Sequence, residues 1–365
     1  MPNGAEMHTA DSATKQSQKT PPDSCARKRV RAHKRDRQRT KKYKFGRHAV
    51  ARLHRKMGLV KVNRMNQRLT PATAALLVIP PLLWAGNAVV GRMVNDLVPP
   101  ITLNFLRWAL AFFLLLPFAY PVLRRDSGMW SHWRRYALLG LLGVGCYNAL
   151  QYLALKTSTP INVTLVAAST PVFMLGIGRL FFGQTISKRQ VLGAVLSIAG
   201  VLLVLSRGEW AQLAKFHLVP GDIYVLIATI AWAWYSWLLS QPADPPAIRS
   251  DWAFFLMAQM VFGLGWSGLF AGSEWVLNKD PHSVWGWPLA AALLYVAVGP
   301  AILAYRCYGL GVQRVGPAVA GFFSNLTPLF AALMSAAFLG ELPQAYHALA
   351  FALIVGGILV SSRKG

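Results

Sequence analysis

The chain contains one short motif twice, as Thr170-Pro171-Val172-Phe173 and as Thr327-Pro328-Leu329-Phe330, 157 residues apart (327 − 170). A second pair follows at the same offset, Phe181-Phe182-Gly183-Gln184 and Phe338-Leu339-Gly340-Glu341. Two further pairs keep this register, Pro160 with Pro317 and Gly200 with Gly357. Because the register holds from residue 160 to residue 200, the sequence indicates an internal duplication.

The composition indicates a membrane protein. Hydrophobic residues make up 54% of the 365 residues and charged residues only 14%, with a mean hydropathy of +0.37. A soluble protein of this composition would lack the polar residues to cover its surface, and a disordered chain would need low hydrophobicity. Three cysteines, Cys25, Cys146 and Cys307, are too few and too scattered for a disulfide framework or a zinc site.

The net charge of +25 is unevenly distributed. Residues 1–70 carry 20 Lys and Arg against four acids, whereas residues 71–365 carry 18 against nine. The first segment is predicted to be a disordered basic extension, densest at residues 27–44. Four interpretations of this segment stay open. It is a cytoplasmic tail that touches anionic headgroups, a transit peptide, or a nucleic-acid or nuclear-targeting segment. In the fourth interpretation the native protein starts at Met65 or Met57 and the segment lies upstream of that start. We expect no nucleic-acid partner.

The remainder reads as a series of membrane spans, each of about 20 apolar residues. The predicted fold is an all-α integral membrane protein with about ten transmembrane helices. They are placed at residues 72–94, 99–121, 134–155, 160–183, 188–206, 221–240, 251–271, 287–311, 315–340 and 344–362. Two repeats, 71–206 and 221–362, would hold five helices each. Since five is odd, the repeats would be inverted in the membrane, as in secondary transporters.

Basic residues predict the orientation of the helices. Loops on one side carry Arg124, Arg125, Arg134, Arg135, Lys188, Arg189, Arg249 and Arg314, and the C-terminal tail adds Arg363 and Lys364. On the other side five basic residues are diluted by acids. The positive-inside rule therefore predicts that both termini are cytoplasmic.

Several motifs occur in the order seen in one known family. They are Trp84-Ala85-Gly86-Asn87, Pro99-Pro100 through Arg107-Trp108, Ala168-Ser169-Thr170-Pro171-Val172-Phe173 through Gly183, Gly221-Asp222 followed by Trp232 and Trp234, Asn325-Leu326-Thr327-Pro328-Leu329-Phe330, and Leu339-Gly340-Glu341. Over residues 70–362 the pattern resembles the EamA-type members of the drug/metabolite transporter superfamily. The resemblance implies ten helices, a central cavity between the repeats and outward movement of small metabolites, often amino acids. The first half departs from the Gly-Glu ending, with Gly183-Gln184.

Two arginines within spans are candidates for substrate binding, because ionisable side chains in a membrane are costly and usually functional. Arg107 lies eight residues beyond Pro99, about 12 Å into the membrane, and a guanidinium matches a carboxylate. The alternative is a structural arginine that reaches helix-end carbonyls or the interface. Arg306, beside Tyr305 and Tyr308, lies nearer the predicted cytoplasmic end of its span, where reaching the interface is easier.

Uncharged side chains form a second group. Tyr147, Asn148, Gln151 and Tyr152 share one helical face, which predicts either a cavity lining or interhelical hydrogen bonds. Helix breaks are predicted at Pro171 and Pro328, where transporters commonly build binding sites. The predicted substrate-binding residues are Trp84, Asn87, Asn104, Arg107, Tyr147, Asn148, Gln151, Thr170, Trp234, Tyr235, Tyr305, Arg306, Asn325 and Thr327.

These observations predict a secondary transporter that exports or exchanges small metabolites, amino acids or related amphipathic solutes, by alternating access. The expected surroundings are the lipid bilayer of the cell membrane, a bacterial inner membrane. No Gly-x4-Gly-Lys-Ser/Thr loop occurs, so we expect coupling to a proton or a counter-substrate. We expect no enzyme activity, cofactor or metal. The oligomeric state stays open, a homodimer included.

Two other classes of function stay open. Gly265-Trp266-Ser267-Gly268 resembles the nucleophile string of intramembrane serine proteases, in which Ser267 would need a histidine base such as His282 or His347. The overlapping dinucleotide-like glycine pattern at 263–268 lacks a preceding strand and is typical of close helix packing. A non-transporting scaffold is the other alternative. Solute flux that survives Ser267→Ala without peptide cleavage would exclude the protease.

Overall fold

The computed structural model describes residues 69–94, 96–155, 157–158, 160–209, 211, 219–277, 283–339 and 344–363. The basic extension predicted for residues 1–70 lies outside this part of the chain except for its last two residues. Glu341, which belongs to the repeated Gly-Glu motif, also lies outside it.

The first half forms five helical spans. They are α1, Pro71–Met93; α2, Pro100–Ala119; α3, made of Trp133–Leu139, a π-helical turn at Gly140–Cys146, and Tyr147–Leu155; α4, made of Pro160–Ala167 and Thr170–Phe181; and α5, Lys188–Leu205.

The second half repeats this arrangement. Its spans are α6, Pro220–Ser240; α7, Trp252–Leu277, preceded by the helical turn Pro246–Ser250; α8, made of Trp287–Val296, a π-helical turn at Ala297–Leu303, and Ala304–Val315; α9, made of Pro317–Phe323 and Leu326–Leu339; and α10, Ala345–Ser362.

Local sequence explains where these helices begin. Pro71, Pro100, Pro160, Pro220 and Pro317 each occupy the first position of a helix. Proline is suited to that position because its missing N–H would have no intrahelical partner there. At α5 a capping box replaces the proline: the Ser187 hydroxyl accepts from the Gln190 N–H at 3.2 Å, and the Gln190 side chain accepts from the Ser187 N–H at 2.9 Å.

The predicted all-α membrane fold is confirmed. Within the described residues, nine helices are long and apolar enough to cross a membrane. The remaining predicted span is α4, which is broken and whose longer piece, Thr170–Phe181, has 12 residues. The chain is therefore a multi-pass membrane protein.

One predicted boundary is wrong. The seventh span was expected to end at residue 271, with Glu274 in the loop that follows, but α7 continues to Leu277. Glu274 is 5% exposed, and its carboxylate accepts hydrogen bonds from the backbone N–H groups of Ile101 and Thr102 at 3.2 and 2.8 Å. An acid that caps the first turn of α2 is stabilised there by unpaired N–H groups, so it does not end the span.

The duplication appears in the structure with the same offset. The two π-helical turns begin 157 residues apart (297 − 140), and α5 and α10 both contain 18 residues and begin at that offset (345 − 188). Packing is repeated too: α1 packs on α8 and α9, and α6 packs on α3 and α4, while α2 pairs with α7 and α5 with α10. Five spans in each half give the halves opposite orientations.

Glycines allow α5 and α10 to approach closely. A Cβ atom on Gly357 would lie 2.6 Å from the Gly193 carbonyl oxygen, and one on Gly200 would lie 2.9 Å from the Ala350 carbonyl oxygen. These contacts involve backbone atoms, which cannot move aside as a flexible side chain can. Backbone proximity of this kind is how small residues stabilise helix pairs in membranes.

This geometry predicts different effects for two adjacent substitutions. Gly357→Ala should lower the free energy of unfolding by ~1–3 kcal/mol, because the new methyl group meets backbone. Gly356→Ala is the matched control, since a Cβ there meets nothing within 4 Å, and it should be neutral or slightly stabilising. Thermal unfolding of the detergent-purified protein measures both, and equal melting temperatures would contradict the close packing of α5 on α10.

A buried carboxylate holds the C-terminal end of α6 to its neighbours. Asp244 accepts from Arg135 Nε at 2.6 Å and from Arg249 Nη1 at 2.9 Å, and its side chain is inaccessible to solvent. Both arginines also donate to the Gln241 carbonyl, and Arg135 donates to the Leu238 carbonyl at 3.0 Å. The two guanidiniums therefore donate to the free carbonyls at this helix end, and Asp244 holds both guanidiniums in place.

Removing the negative charge should destabilise the fold. In Asp244→Asn two guanidiniums would lose their counter-ion, a change that costs about 3–5 kcal/mol for a buried pair and less for these partly exposed arginines. The matched control is Asp126→Asn, because Asp126 is exposed. A large fall in melting temperature is expected for the first variant alone, and a similar small change in both would refute the structural role of Asp244.

Candidate functional site

Seven aromatic side chains from five spans meet in the buried interior and form what we call the aromatic cluster. They are Trp84, Trp108, Tyr147, Trp232, Tyr235, Tyr305 and Tyr308. Trp232 lies at the centre and is 1% exposed. Its ring centroid is 4.6 Å from that of Tyr147 and 4.9 Å from that of Tyr308. Because both halves contribute rings, the cluster links them.

The π-helical turns give this cluster hydrogen-bond acceptors. The Tyr305 hydroxyl donates to the Gly143 carbonyl in α3, and Trp84 Nε1 donates to the Pro300 carbonyl in α8 at 3.3 Å. The two acceptors occupy equivalent positions of the repeats (300 − 143 = 157). π-Helical turns are common at functional sites because they interrupt the regular backbone ladder.

One face of α2 carries three polar groups at positions i, i+3 and i+4: Asn104, Arg107 and Trp108. Each has a buried atom without a hydrogen-bond partner among the described residues, namely Asn104 Oδ1, Arg107 Nε and Trp108 Nε1. Other atoms anchor two of the side chains. Asn104 Nδ2 donates to the Val144 carbonyl at 3.2 Å, and Arg107 Nη1 donates to Asn87 Oδ1 at 3.3 Å. This face therefore holds two donors and one acceptor that have no partner among the described residues.

Arg107 is 2% exposed, so it does not reach the membrane interface. No acidic side chain of the described residues forms a salt bridge with it. Its guanidinium carbon lies 5.1 Å from the centre of the Trp108 ring. A buried cation without a counter-ion is costly, which makes this position suited to an anionic group.

The polar stripe on α3 borders the same interior. Tyr147 belongs to the aromatic cluster, Asn148 faces the Tyr305 hydroxyl, and the half-buried Gln151 faces Tyr147. In the repeat, Asn148 and Gln151 are equivalent to Tyr305 and Tyr308 at the offset of 157. The Tyr305 phenol of one half therefore lies beside the Asn148 amide of the other half.

The structure does not bring every predicted residue to the cluster. Trp234 packs against Phe181 at the end of α4, with ring centroids 4.7 Å apart. Two residues along a helix differ by about 200° in direction, so Trp234 cannot share the face of Trp232. Asn325 instead donates from Nδ2 to the Ser197 hydroxyl on α5 at 2.9 Å, a helix-packing contact.

The Thr-Pro pairs lie where α4 and α9 are interrupted. Pro171 has no N–H for the Ala167 carbonyl, and the Thr170 hydroxyl donates to that oxygen at 2.6 Å. In α9 the N–H of Thr327 donates to the Ser324 carbonyl at 3.1 Å, the oxygen that Pro328 leaves without its helical donor. Thr170 and Thr327 thus satisfy backbone groups locally.

A second feature, which we call the outer cleft, opens between α6, α7 and α8. Arg306 is exposed, and its guanidinium carbon lies 4.6 Å from the centre of the Trp252 ring. The cleft and the aromatic cluster share Tyr235 and Tyr305. Arg107 therefore lies beside the aromatic cluster and Arg306 lies in the outer cleft, although the sequence predicted a single cavity for both.

The predicted list lacks several residues of these sites, Tyr308 of the aromatic cluster among them. Trp108 follows Arg107 directly, and Gln259 is a polar residue inside an apolar run; either feature was available in the sequence. The Gln259 side chain accepts from the Tyr235 hydroxyl at 2.9 Å. The sequence around Ser236 and Trp252 has no feature that would have identified them. The Ser236 hydroxyl lies 2.7 Å from the Tyr308 hydroxyl.

Residues of the protease-like and dinucleotide-like motifs make contacts that are typical of helix packing and helix ends. Ser267 is fully buried, and its hydroxyl lies 3.4 Å from the Leu264 carbonyl. His347 accepts the Gln344 N–H at the start of α10, and His282 lies outside the described residues. A Cβ on Gly263 would meet the Val144 side chain at 2.6 Å, so α7 and α3 lie close together here.

Comparisons with known proteins agree with the fold. Two segments, 72–206 and 219–363, each match the EamA-like transporter family. A solved crystal structure that is 23% identical shares the fold, with a TM-score of 0.63 over 80% of this chain and 96% of that chain.

Two relatives are similar over most of their length. An uncharacterized transporter from Archaeoglobus fulgidus is 26% identical over 294 residues, covering 80% of this chain and 98% of the relative. The aromatic amino acid exporter YddG from Ancylobacter novellus is 25% identical over 287 residues, covering 77% and 93%. Because the family matches both repeats and most of the chain, this protein belongs to the EamA-like transporter family.

Proposed function

We propose that the protein is a secondary transporter that exports or exchanges amphipathic amino acids, aromatic ones included, by alternating access. The observation that carries this proposal is the face of α2 beside the aromatic cluster. It has unpaired donors on Arg107 and Trp108 and an unpaired acceptor on Asn104. Such a set matches the two charged groups of a zwitterion.

Each group has a defined partner in this proposal. The carboxylate accepts from Arg107 Nε and Trp108 Nε1, and the ammonium donates to Asn104 Oδ1. Rings of the aromatic cluster contact the apolar side chain. The exporter YddG acts on aromatic amino acids, which supports a substrate of this class.

We call the Asn104, Arg107 and Trp108 face of α2, together with the aromatic cluster, the inner site. Transport requires the inner site to open. In the structure Arg107 and Trp232 are both buried, so a substrate would reach them through a change of conformation. The pseudo-symmetric packing of the two halves supports rocking of one repeat against the other around a fixed site. We place the protein in a bacterial inner membrane with both termini in the cytoplasm. A proton or a counter-substrate is the proposed coupling partner. The proposal assigns no catalytic step to the chain.

Flux of labelled L-phenylalanine in proteoliposomes tests the inner site. Arg107→Gln should reduce counterflow at least tenfold, because a charge-assisted contact contributes ~1.5–3 kcal/mol, and Arg107→Lys should retain part of the flux. Tyr147→Ala should also lower it. Arg179→Gln is the matched control, since Arg179 lies in a predicted span but is exposed. Unchanged flux in Arg107→Gln and Tyr147→Ala would refute the site, and no flux of any amino acid would favour a scaffold.

The unpaired acceptor on Asn104 predicts that the inner site distinguishes substrates that have an ammonium group from those that lack one. The wild type should prefer L-phenylalanine to N-acetyl-L-phenylalanine, which lacks the ammonium group. In Asn104→Leu this preference should fall at least tenfold, because a site that pairs a buried polar group discriminates strongly against analogues that lack it. Competition of each compound with labelled L-phenylalanine measures the ratio, and an unchanged ratio would contradict the assigned role of Asn104.

A further inference from the structure

We propose that the outer cleft is a second binding site, which takes the carboxylate of an amphipathic solute before that solute reaches the inner site. This inference rests on the proposed transport function for its biological role. The binding itself rests on the cleft alone. Three independent features support it: an available cation, an aromatic and apolar wall, and open space beside a buried glycine.

Arg306 is the cation available in the cleft. It lies nine residues before Val315, the end of α8, which is about 13 Å along the helix. A charged side chain this far inside a span is tolerated where it faces a water-filled space. The described residues offer Arg306 no acidic partner, whereas Arg249 at the same cleft is held by Asp244.

The first repeat has no cation at the position of Arg306. The equivalent residue there is Ala149, which is 3% exposed (306 − 149 = 157). In that half the same π-helical turn and following helix form with alanine. Arg306 is an addition to one half only, which favours a role in binding over a role in folding.

The walls fit the apolar part of such a solute. Trp252 lies against one side of the Arg306 guanidinium, and Phe255 and Leu256 continue the lining along α7. Binding pockets for small molecules typically combine an apolar lining with a few polar groups.

Gly309 marks the open space. It lines the cleft and is buried, yet a Cβ atom there would meet nothing within 4 Å. It lies about one helical turn beyond Arg306, on the same helix. A larger side chain at this position would extend into the cleft without striking the backbone.

Two tyrosines and a glutamine separate the outer cleft from the inner site. Tyr235 donates to Gln259 at 2.9 Å, and the centroids of the Tyr235 and Tyr305 rings are 6.1 Å apart. The Gln259 oxygen already accepts this bond, and the other amide that lines the outer cleft, Gln313, can donate as well as accept, so a ligand of this cleft does not need an ammonium group. N-acetyl-L-phenylalanine should therefore bind the outer cleft and be rejected by the inner site.

Binding of labelled N-acetyl-L-phenylalanine to the full-length protein, in nanodiscs of phosphatidylcholine, tests this inference. Arg306→Gln should weaken binding at least tenfold, and Gly309→Leu should abolish it by filling the cleft. Gly356→Leu is the matched control, because a Cβ there also meets nothing within 4 Å and Gly356 does not line the cleft. Arg107→Gln should keep this binding while losing L-phenylalanine flux.

The outcomes separate the two proposals. If N-acetyl-L-phenylalanine binds as expected but no amino acid is transported, the outer site stands and the transport function is refuted. If L-phenylalanine is transported but neither Arg306→Gln nor Gly309→Leu alters the binding, the outer site is refuted. Binding that Arg107→Gln abolishes would assign the ligand to the inner site. Displacement of bound N-acetyl-L-phenylalanine by phosphatidylglycerol in the nanodisc would assign the cleft to a lipid headgroup and overturn the proposal.

Discussion

In a membrane every buried backbone polar group must find a partner within the protein, and this requirement shapes the centre of the molecule. The regular ladder is interrupted in four spans, by π-helical turns in α3 and α8 and by breaks in α4 and α9. Side chains complete the hydrogen bonds there: Trp84 and Tyr305 bind the π-helical turns, and Thr170 binds the Ala167 carbonyl. The polar groups of the candidate site are thus gathered by the same irregularities that the fold must satisfy.

Arg107 and Arg306 differ in burial, and this difference changes how strongly each guanidinium would bind a carboxylate. Arg107 is buried and donates to Asn87, and its Nε has no partner among the described residues. Arg306 is exposed and lies on the Trp252 ring, where it meets an open cleft. A buried guanidinium gains much from a bound carboxylate because water does not screen the pair. An exposed one gains less and releases its ligand more readily, which suits a site that is occupied first and left quickly.

Much of the fold could be predicted from the sequence, because span length and the repeat depend on composition and spacing. The offset read from Thr170 and Thr327 also relates the two π-helical turns. Less of the site could be predicted. The direction of a side chain depends on which helix lies opposite, so Trp234 was grouped with residues it does not meet, and Gln259 was overlooked. Glu274 was taken for a loop acid because its partners on α2 are distant in sequence.

The repeats provide a symmetric frame, but the side chains that line it are not symmetric. Asn148 and Gln151 in one half correspond to Tyr305 and Tyr308 in the other, and Ala149 corresponds to Arg306. A frame of inverted repeats can open in two opposite ways at similar free energy, because each half can adopt the conformation of the other. An outer cation present in one half only makes the two openings chemically different. A solute with a carboxylate would therefore meet Arg306 in only one of the two openings, so the two openings would bind it with different affinity, while the gradients of the solute and its coupling partner set the net direction of transport.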